Sequence, residues 1–253
     1  MIYSSPAVAD GVVYLGSSDF RLYAFDASGC GAPTCSPLWI GRTGGAISSS
    51  ATVVGGVVYV GSYDKRLYAF DAAGCGAPTC SPLWAGRTGD FVTSSPAVAD
   101  GVLFVGSHDH NLYAFRARGC GGPRCVPLWT AKTGRGISSS PAVANGVVYV
   151  GSLDEKLYAF DAAGCGAGAC SPLWTAKTGG AVASSPAVAN GVVYVGSATS
   201  KLYAFAAAGC GAGACSPLWT ARTGGYVDSS PAVANGLVYV GSADDSLYAF
   251  GRP

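Results

Sequence analysis

Residues Ser139–Cys170 read SSPAVANGVVYVGSLDEKLYAFDAAGCGAGAC, and Ser184–Cys215 read SSPAVANGVVYVGSATSKLYAFAAAGCGAGAC. The two stretches start 45 residues apart and differ at four positions. The same unit runs through the whole chain. Its Gly-Ser step recurs at Gly16, Gly61, Gly106, Gly151, Gly196 and Gly241. A fixed period of roughly 20–50 residues belongs to a solenoid, a propeller or an array. The repeats run over about 4–48, 49–93, 94–138, 139–183, 184–228 and 229–253. No linker interrupts them, so the expectation is a single domain spanning 1–253.

Each unit reads as short strands. Ser139–Ala144 is a first strand. Asn145-Gly146 follows as a two-residue hairpin, because both residues accept positive φ. Val147–Gly151 is rich in β-branched and aromatic residues and forms a second strand. A polar turn leads to a third strand, Leu157–Asp161, and a Gly/Cys loop leads to a fourth, Pro172–Lys177. Helical periodicity is absent. Four short strands per repeat predict an all-β, six-bladed β-propeller of four-stranded antiparallel blades. A β-solenoid is the runner-up, but its coils are usually shorter and need no hairpin in every unit.

The first three strands occur six times, but the tryptophan strand occurs only five times, at Trp39, Trp84, Trp129, Trp174 and Trp219. The last blade is therefore expected to lack its outer strand. Its third strand, Leu247–Phe250, would then offer an open edge for strand addition. Self-association through the sixth-blade edge is one expected use of it.

Charge is sparse and balanced, with 15 basic and 14 acidic residues and a net charge of +1. Nucleic-acid binding needs a clustered basic surface, so no nucleic-acid partner is expected. Hydrophobic residues make up 49% of the chain, yet no apolar run approaches the roughly 20 residues of a membrane helix. Membrane insertion is not expected. Met1 leads straight into repeat sequence with no signal peptide, which points to a segment of a longer secreted protein.

Ten cysteines form five Cys-x4-Cys pairs: Cys30/Cys35, Cys75/Cys80, Cys120/Cys125, Cys165/Cys170 and Cys210/Cys215. Identical short loops with an even count point to local disulfides and an oxidising compartment. Zinc is the alternative, but each pair lacks the further ligands of a four-coordinate site. The expectation is five disulfides and no metal. Such disulfides would hold the loop leading to each Trp.

The run Leu-Tyr-Ala-Phe-Asp, then Gly, then Leu-Trp, resembles the repeat of the pyrroloquinoline-quinone-type (PQQ-like) propellers. The resemblance covers essentially the whole chain. It implies a docking motif that locks adjacent blades, formed by an Ala, an Asp two residues later, a Thr-Gly and a following Trp. Here the matching residues are Ala24, Asp26 and Trp39; Ala69, Asp71 and Trp84; and Ala159, Asp161 and Trp174, with Gly29, Gly74 and Gly164 between them. Ala114 with Trp129 and Ala204 with Trp219 complete the set without the Asp, which is Arg116 and Ala206 there. Another departure is the Gly usual in the second turn, replaced by Phe20, Lys65, His110, Glu155, Ser200 and Asp245.

Alternating strand direction sorts the loops onto two faces. The Asn-Gly hairpins and cysteine loops share one, and it is nearly uniform. The second turns and the blade-to-blade connections share the other, and it varies. Its candidate binding residues are Tyr63, Phe91, His108, His110, Arg135 and Tyr226. Loops on a rigid scaffold commonly carry function, although solvated turn tips also vary under weak constraint. The Ser-Ser pairs that start each blade would line the channel, either as a polar ring or simply as small residues at a crowded axis. His108-Asp109-His110 lacks a third strong metal ligand. Arg42, Arg87, Lys132, Lys177 and Arg222 read as protection of the outer strand edges.

No nucleophile-base-acid constellation is legible, so no catalytic residue is assigned and no enzyme is expected. No cofactor is expected either. A PQQ-dependent dehydrogenase resembles the chain in the docking motif, but needs a calcium-binding set, a stacking Trp and adjacent disulfide-bonded cysteines. The leading expectation is a non-enzymatic extracellular scaffold, on a cell surface or in a bacterial envelope, binding a protein or glycan partner. A structural subunit joined through the incomplete sixth blade is the alternative.

Overall fold

The computed structural model describes residues 1–166, 168–211 and 213–251. All regular structure among them is β, and the strands form six sheets of three to five strands. The fold is a six-bladed β-propeller. Its residues group into two compact units, Met1–Asp109 with Tyr113–Leu128, and His110–Leu112 with Trp129–Pro253.

The second repeat shows the blade plan. Its strands are Thr52–Val54, Val57–Ser62, Arg66–Asp71 and Trp84–Arg87. They pair antiparallel in order, with Tyr59 opposite Ala69 and Ala69 opposite Trp84. The hairpin between the first two is Gly55-Gly56, with φ of 59° and 75°; in the fourth repeat Asn145 at 50° does the same work. The last blade has three strands, Ala232–Ala234, Leu237–Gly241 and Leu247–Gly251. No outer neighbour flanks the third among the described residues.

Four of the five four-stranded antiparallel blades gain a strand from the next repeat. Thr79–Cys80 runs parallel to Trp39–Arg42, pairing Thr79 with Ile40 and Cys80 with Gly41. Arg124–Cys125 does this for Trp84–Arg87, Ala169–Cys170 for Trp129–Lys132, and Ala214–Cys215 for Trp174–Lys177. So the cysteine loop clasps the blade before it, and does not merely lead to its own Trp. Five disulfides close these loops, and no free cysteine remains. Such bridges persist in an oxidising compartment. The outer edges are thereby covered by backbone pairing, while Arg42, Arg87, Lys132 and Lys177 project into solvent beside it.

The first repeat gives the internal comparison. Its loop Gly29–Cys35 has the same sequence, GCGAPTC, as Gly74–Cys80. It forms no strand, and Cys35 is only half-buried where Cys80 is buried. A local loop sequence therefore does not make the fifth strand; a preceding Trp strand does.

One expected result follows. Reduction should speed amide exchange in the outer strands first, because each bridge closes only a short loop. Ile40 N–H, which donates to the Pro78 carbonyl at 2.9 Å, should lose protection. Replacing Cys30 and Cys35 by Ser should leave Trp39–Arg42 protected, since that loop clasps no strand. Exchange mass spectrometry with and without reductant checks both.

The core lies between blades. Tyr14, Leu22, Ala24 and Trp39 pack against Val58, Val60, Tyr68 and Phe70 of the next repeat. The Ser-Ser pairs are structural. Ser49 Oγ accepts from Gly61 N–H at 2.7 Å, and Ser139 Oγ from Gly151 N–H at 3.0 Å. The second serine bridges blades, as where Ser50 N–H donates to Ser95 Oγ at 2.9 Å.

Candidate functional site

The blade-to-blade joint fixes where the variable turns sit. Ala24, Ala69, Ala114, Ala159 and Ala204 are fully buried. Trp39, Trp84, Trp129 and Trp174 are buried too, whereas Trp219 is half-buried. Trp39 Nε1 donates to the Ala72 carbonyl at 3.2 Å, and a Cβ on Gly74 would stand 2.6 Å from Trp39 Cδ1. Gly74 therefore makes the floor of the tryptophan socket.

The aspartates of the expected docking motif do not cross the joint. Asp26, Asp71 and Asp161 are exposed. Each caps its own turn, as Asp71 Oδ1 does by accepting from Ala73 N–H at 2.9 Å. They sit at the solvent end of the third strand. A different aspartate does the locking. Asp64 Oδ2 accepts from Gly44 N–H at 3.1 Å and from the Tyr68 hydroxyl. Asp109 with Gly89, Asp154 with Gly134 and Asp244 with Gly224 repeat the clasp at 2.6, 2.9 and 2.8 Å. Burial, and then the neighbouring Asp64 and Asp154 carboxylates, push the Tyr68 and Tyr158 hydroxyls up to about 12. The sequence signal for this clasp is Asp two residues after the Gly-Ser serine, 20 residues beyond the Thr-Gly glycine.

The clasp holds the tip of the second turn. The next residue, at Phe20, Lys65, His110, Glu155, Ser200 and Asp245, has φ between 57° and 72°. Glycine would adopt this backbone freely, whereas a side chain there costs on the order of 1 kcal/mol or more. Six repeats keep six different side chains at this strained position.

At the second and third turns the variable residues meet. The rings of Tyr63 and Phe91 lie 5.0 Å apart, and those of Phe91 and His108 6.4 Å apart. Backbone bonds fix the spacing: Tyr63 N–H donates to the Ala46 carbonyl at 2.9 Å, and His108 N–H to the Phe91 carbonyl at 3.0 Å. Tyr63 is 39% exposed and Phe91 40%. Lys65 Nζ stands 5.9 Å from the Phe91 ring centre and 3.2 Å from Asp90 Oδ1. The hydrogen bond from Lys65 holds the Asp90 carboxyl below its ordinary range. Thr93 Oγ1 and His108 Nε2 share a hydrogen bond of 2.9 Å. The cluster thus offers an aromatic face flanked by a cation and a carboxylate.

His110, Arg135 and Tyr226 lie on turns of the second unit. His110 and Arg135 are exposed, and Tyr226 is 56% exposed. The His110 carbonyl accepts from Thr133 Oγ1 at 3.1 Å. No three His, Cys, Asp or Glu side chains gather in metal-binding geometry among the described residues.

Comparison with known proteins agrees with this architecture. The family model described as outer membrane protein assembly factor BamB matches residues 30–119, 126–212 and 171–252. The crystal structure of BamB from Moraxella catarrhalis aligns with a TM-score of 0.60 at 17% identity, over 98% of this chain and 85% of that one. The computationally designed Ika8 protein aligns with a TM-score of 0.75 at 14% identity, over 98% of this chain and 70% of that one. No curated protein matches the sequence. With the repeat, the interlocked blades and a match that spans most of its length, the chain belongs to the BamB family of PQQ-like repeat propellers.

Proposed function

We propose that the protein is a non-enzymatic binding scaffold that presents its variable turn face to a protein or glycan partner outside the cytoplasm. One observation carries this reading. Tyr63, Phe91 and His108 form an aromatic cluster at positions that other repeats fill mainly with small residues such as Ser18, Ala46, Gly136 and Ala181. Near-identical blades would supply the rigid frame, and the uncopied residues the specificity. The strained tips support it, because backbone strain kept at a surface turn marks a side chain retained for use. The family name of the matched model, an outer membrane protein assembly factor, favours a protein partner in a bacterial envelope.

The chain's groups do not fit a quinone cofactor. The five tryptophans all stand in outer strands, and every disulfide joins residues five apart. Neither a free stacking Trp nor an adjacent-cysteine bridge is left to hold it.

The test is a peptide and glycan array probed with the intact protein and with Tyr63→Ala and Phe91→Ala. A hit should weaken at least tenfold in both variants, as expected for losing an exposed aromatic anchor of about 1.4 kcal/mol or more. Hits that survive both substitutions would place recognition elsewhere.

A further inference from the structure

The third cysteine loop differs in chemistry from the other four. It carries Arg116, Arg118 and Arg124 with no acid among them, and Val126 follows. The same positions in the second repeat hold Asp71, Ala73, Thr79 and Ser81, and none of the other four loops contains a Lys or Arg. In the second repeat, whose neighbours on both sides lie in the same compact unit, all four positions are exposed. The three arginines and Val126 are exposed likewise.

The loop is fixed against the second blade. Gly119 N–H donates to the Arg116 carbonyl at 2.9 Å, which puts Arg116 and Arg118 on one turn. The Cys120–Cys125 bridge closes the loop, and Arg124 pairs with Ala85 in the parallel ladder. Arg118, Pro123, Leu83 and Trp84 line a hollow of about 410 Å³ between the loop and the Trp84 strand. Leu83 is 50% exposed at its wall. Trp84 Nε1–H is buried without an acceptor, whereas Trp39 Nε1 and Trp174 Nε1 donate to carbonyls at 3.2 and 3.3 Å. The base of the hollow is therefore electropositive, as its rim is. The ion pairs among the described residues are Arg21–Asp19 and Lys65–Asp90, so no carboxylate pairs with the three arginines. Asp100 forms none with them, although its hairpin is tied to this turn by the Ala117 N–H, which donates to the Gly101 carbonyl at 2.9 Å.

We propose that the third cysteine loop is a second binding site, and that it takes an acidic peptide segment bearing an apolar side chain. Guanidinium groups match carboxylates in a two-pronged fork, and three without an acid partner on one loop set the sign of the ligand. The apolar wall sets its class. Leu83 and Val126, the latter 80% exposed, have nothing to offer a bare phosphate or sulfate, but they bury a Leu or Phe standing between two carboxylates. The bridged loop holds the backbone of Arg124 in place before the ligand arrives, so less order is lost on binding. Tyr63 precedes the strand Arg66–Asp71 and the cysteine loop follows it, so this site and the aromatic cluster lie at opposite ends of the strands. Neither depends on what the other binds.

Fluorescence anisotropy of the 253-residue chain with labelled peptides tests the proposal. The probes are a library of short peptides with Glu at alternate positions and Leu or Phe between them. The best binder should weaken about tenfold or more when its Glu residues become Gln, and again when its Leu or Phe residues become Gly. Arg118→Ala combined with Arg124→Thr gives the loop the residues of the second repeat at these positions, so it stays folded by circular dichroism. That variant should also bind about tenfold or more weakly, and the affinity of the intact chain should fall as salt rises. Tyr63→Ala should bind the peptide as the intact chain does. The proposal falls if no library member binds, if binding survives the double substitution, or if the Gly version binds equally well. It falls also if heparin or inorganic phosphate binds at least as tightly as the best peptide and loses that affinity in the double variant, since the loop would then be a simple anion site. A loss in Tyr63→Ala with none in the arginine variant would assign the peptide to the aromatic cluster, overturning this proposal and upholding the other.

Discussion

Trp39→Ala should lower stability by about 3–5 kcal/mol, the usual range for removing a fully packed Trp. Trp219→Ala should cost only about 1–2 kcal/mol, because that ring keeps part of its surface in water. The contrast isolates the joint from the residue type. Both tryptophans open the equivalent strand of their repeats, after the same Pro-Leu. Trp39 is 4% exposed, donates to the Ala72 carbonyl and lies against Gly74. Trp219 is half-buried. Denaturant midpoints for the two variants check this. Equal losses would show that the tryptophans act through their own blades, not through the blade that follows.

Gly151→Ala should also be costly, at about 1–3 kcal/mol. The added Cβ would stand 2.6 Å from the Val182 carbonyl oxygen, a backbone atom that cannot swing aside. Gly241→Ala should be neutral or slightly stabilising, by up to about 0.5 kcal/mol, through the lower entropy of the unfolded chain. Its nearest contact would be Ser229 Oγ at 3.5 Å. The Gly-Ser step that marks every repeat is thus a packing requirement wherever the blade-to-blade connection crosses it. Thermal melts of the two variants decide the point. A destabilised Gly241→Ala would mean that the strand itself, and not the crossing, demands glycine.

Much of this architecture was legible from the 45-residue period. Asn145-Gly146 marked a hairpin and Val147–Gly151 a strand, because turn chemistry and β-branching act locally. What stayed hidden was non-local. Thr34–Cys35 and Thr79–Cys80 have the same sequence around them, yet only the second pairs as a strand, because only it finds a Trp strand to lie beside. The docking aspartate was misplaced for the same reason. Asp71 stands two residues from the buried Ala69 in sequence, but its carboxylate caps its own turn, accepting from Ala73 N–H. Asp64, in a turn that reads as a solvated tip, reaches across the joint. The grouping of Tyr63, Phe91 and His108 was legible only as a shared face. Their contact depends on a connection from one blade meeting turns from two.

The parallel clasp also sets an order in time. Trp39–Arg42 is paired on its outer side by Thr79–Cys80, which a ribosome makes later. At about 5–20 residues per second, the first outer edge stays open for a few seconds while the intervening chain emerges. The same delay recurs at Trp84–Arg87, Trp129–Lys132 and Trp174–Lys177, whose outer pairing also comes from the next cysteine loop. Folding during synthesis is therefore stepwise from the N-terminus, and each of these four blades waits for its successor's loop before its edge is sealed.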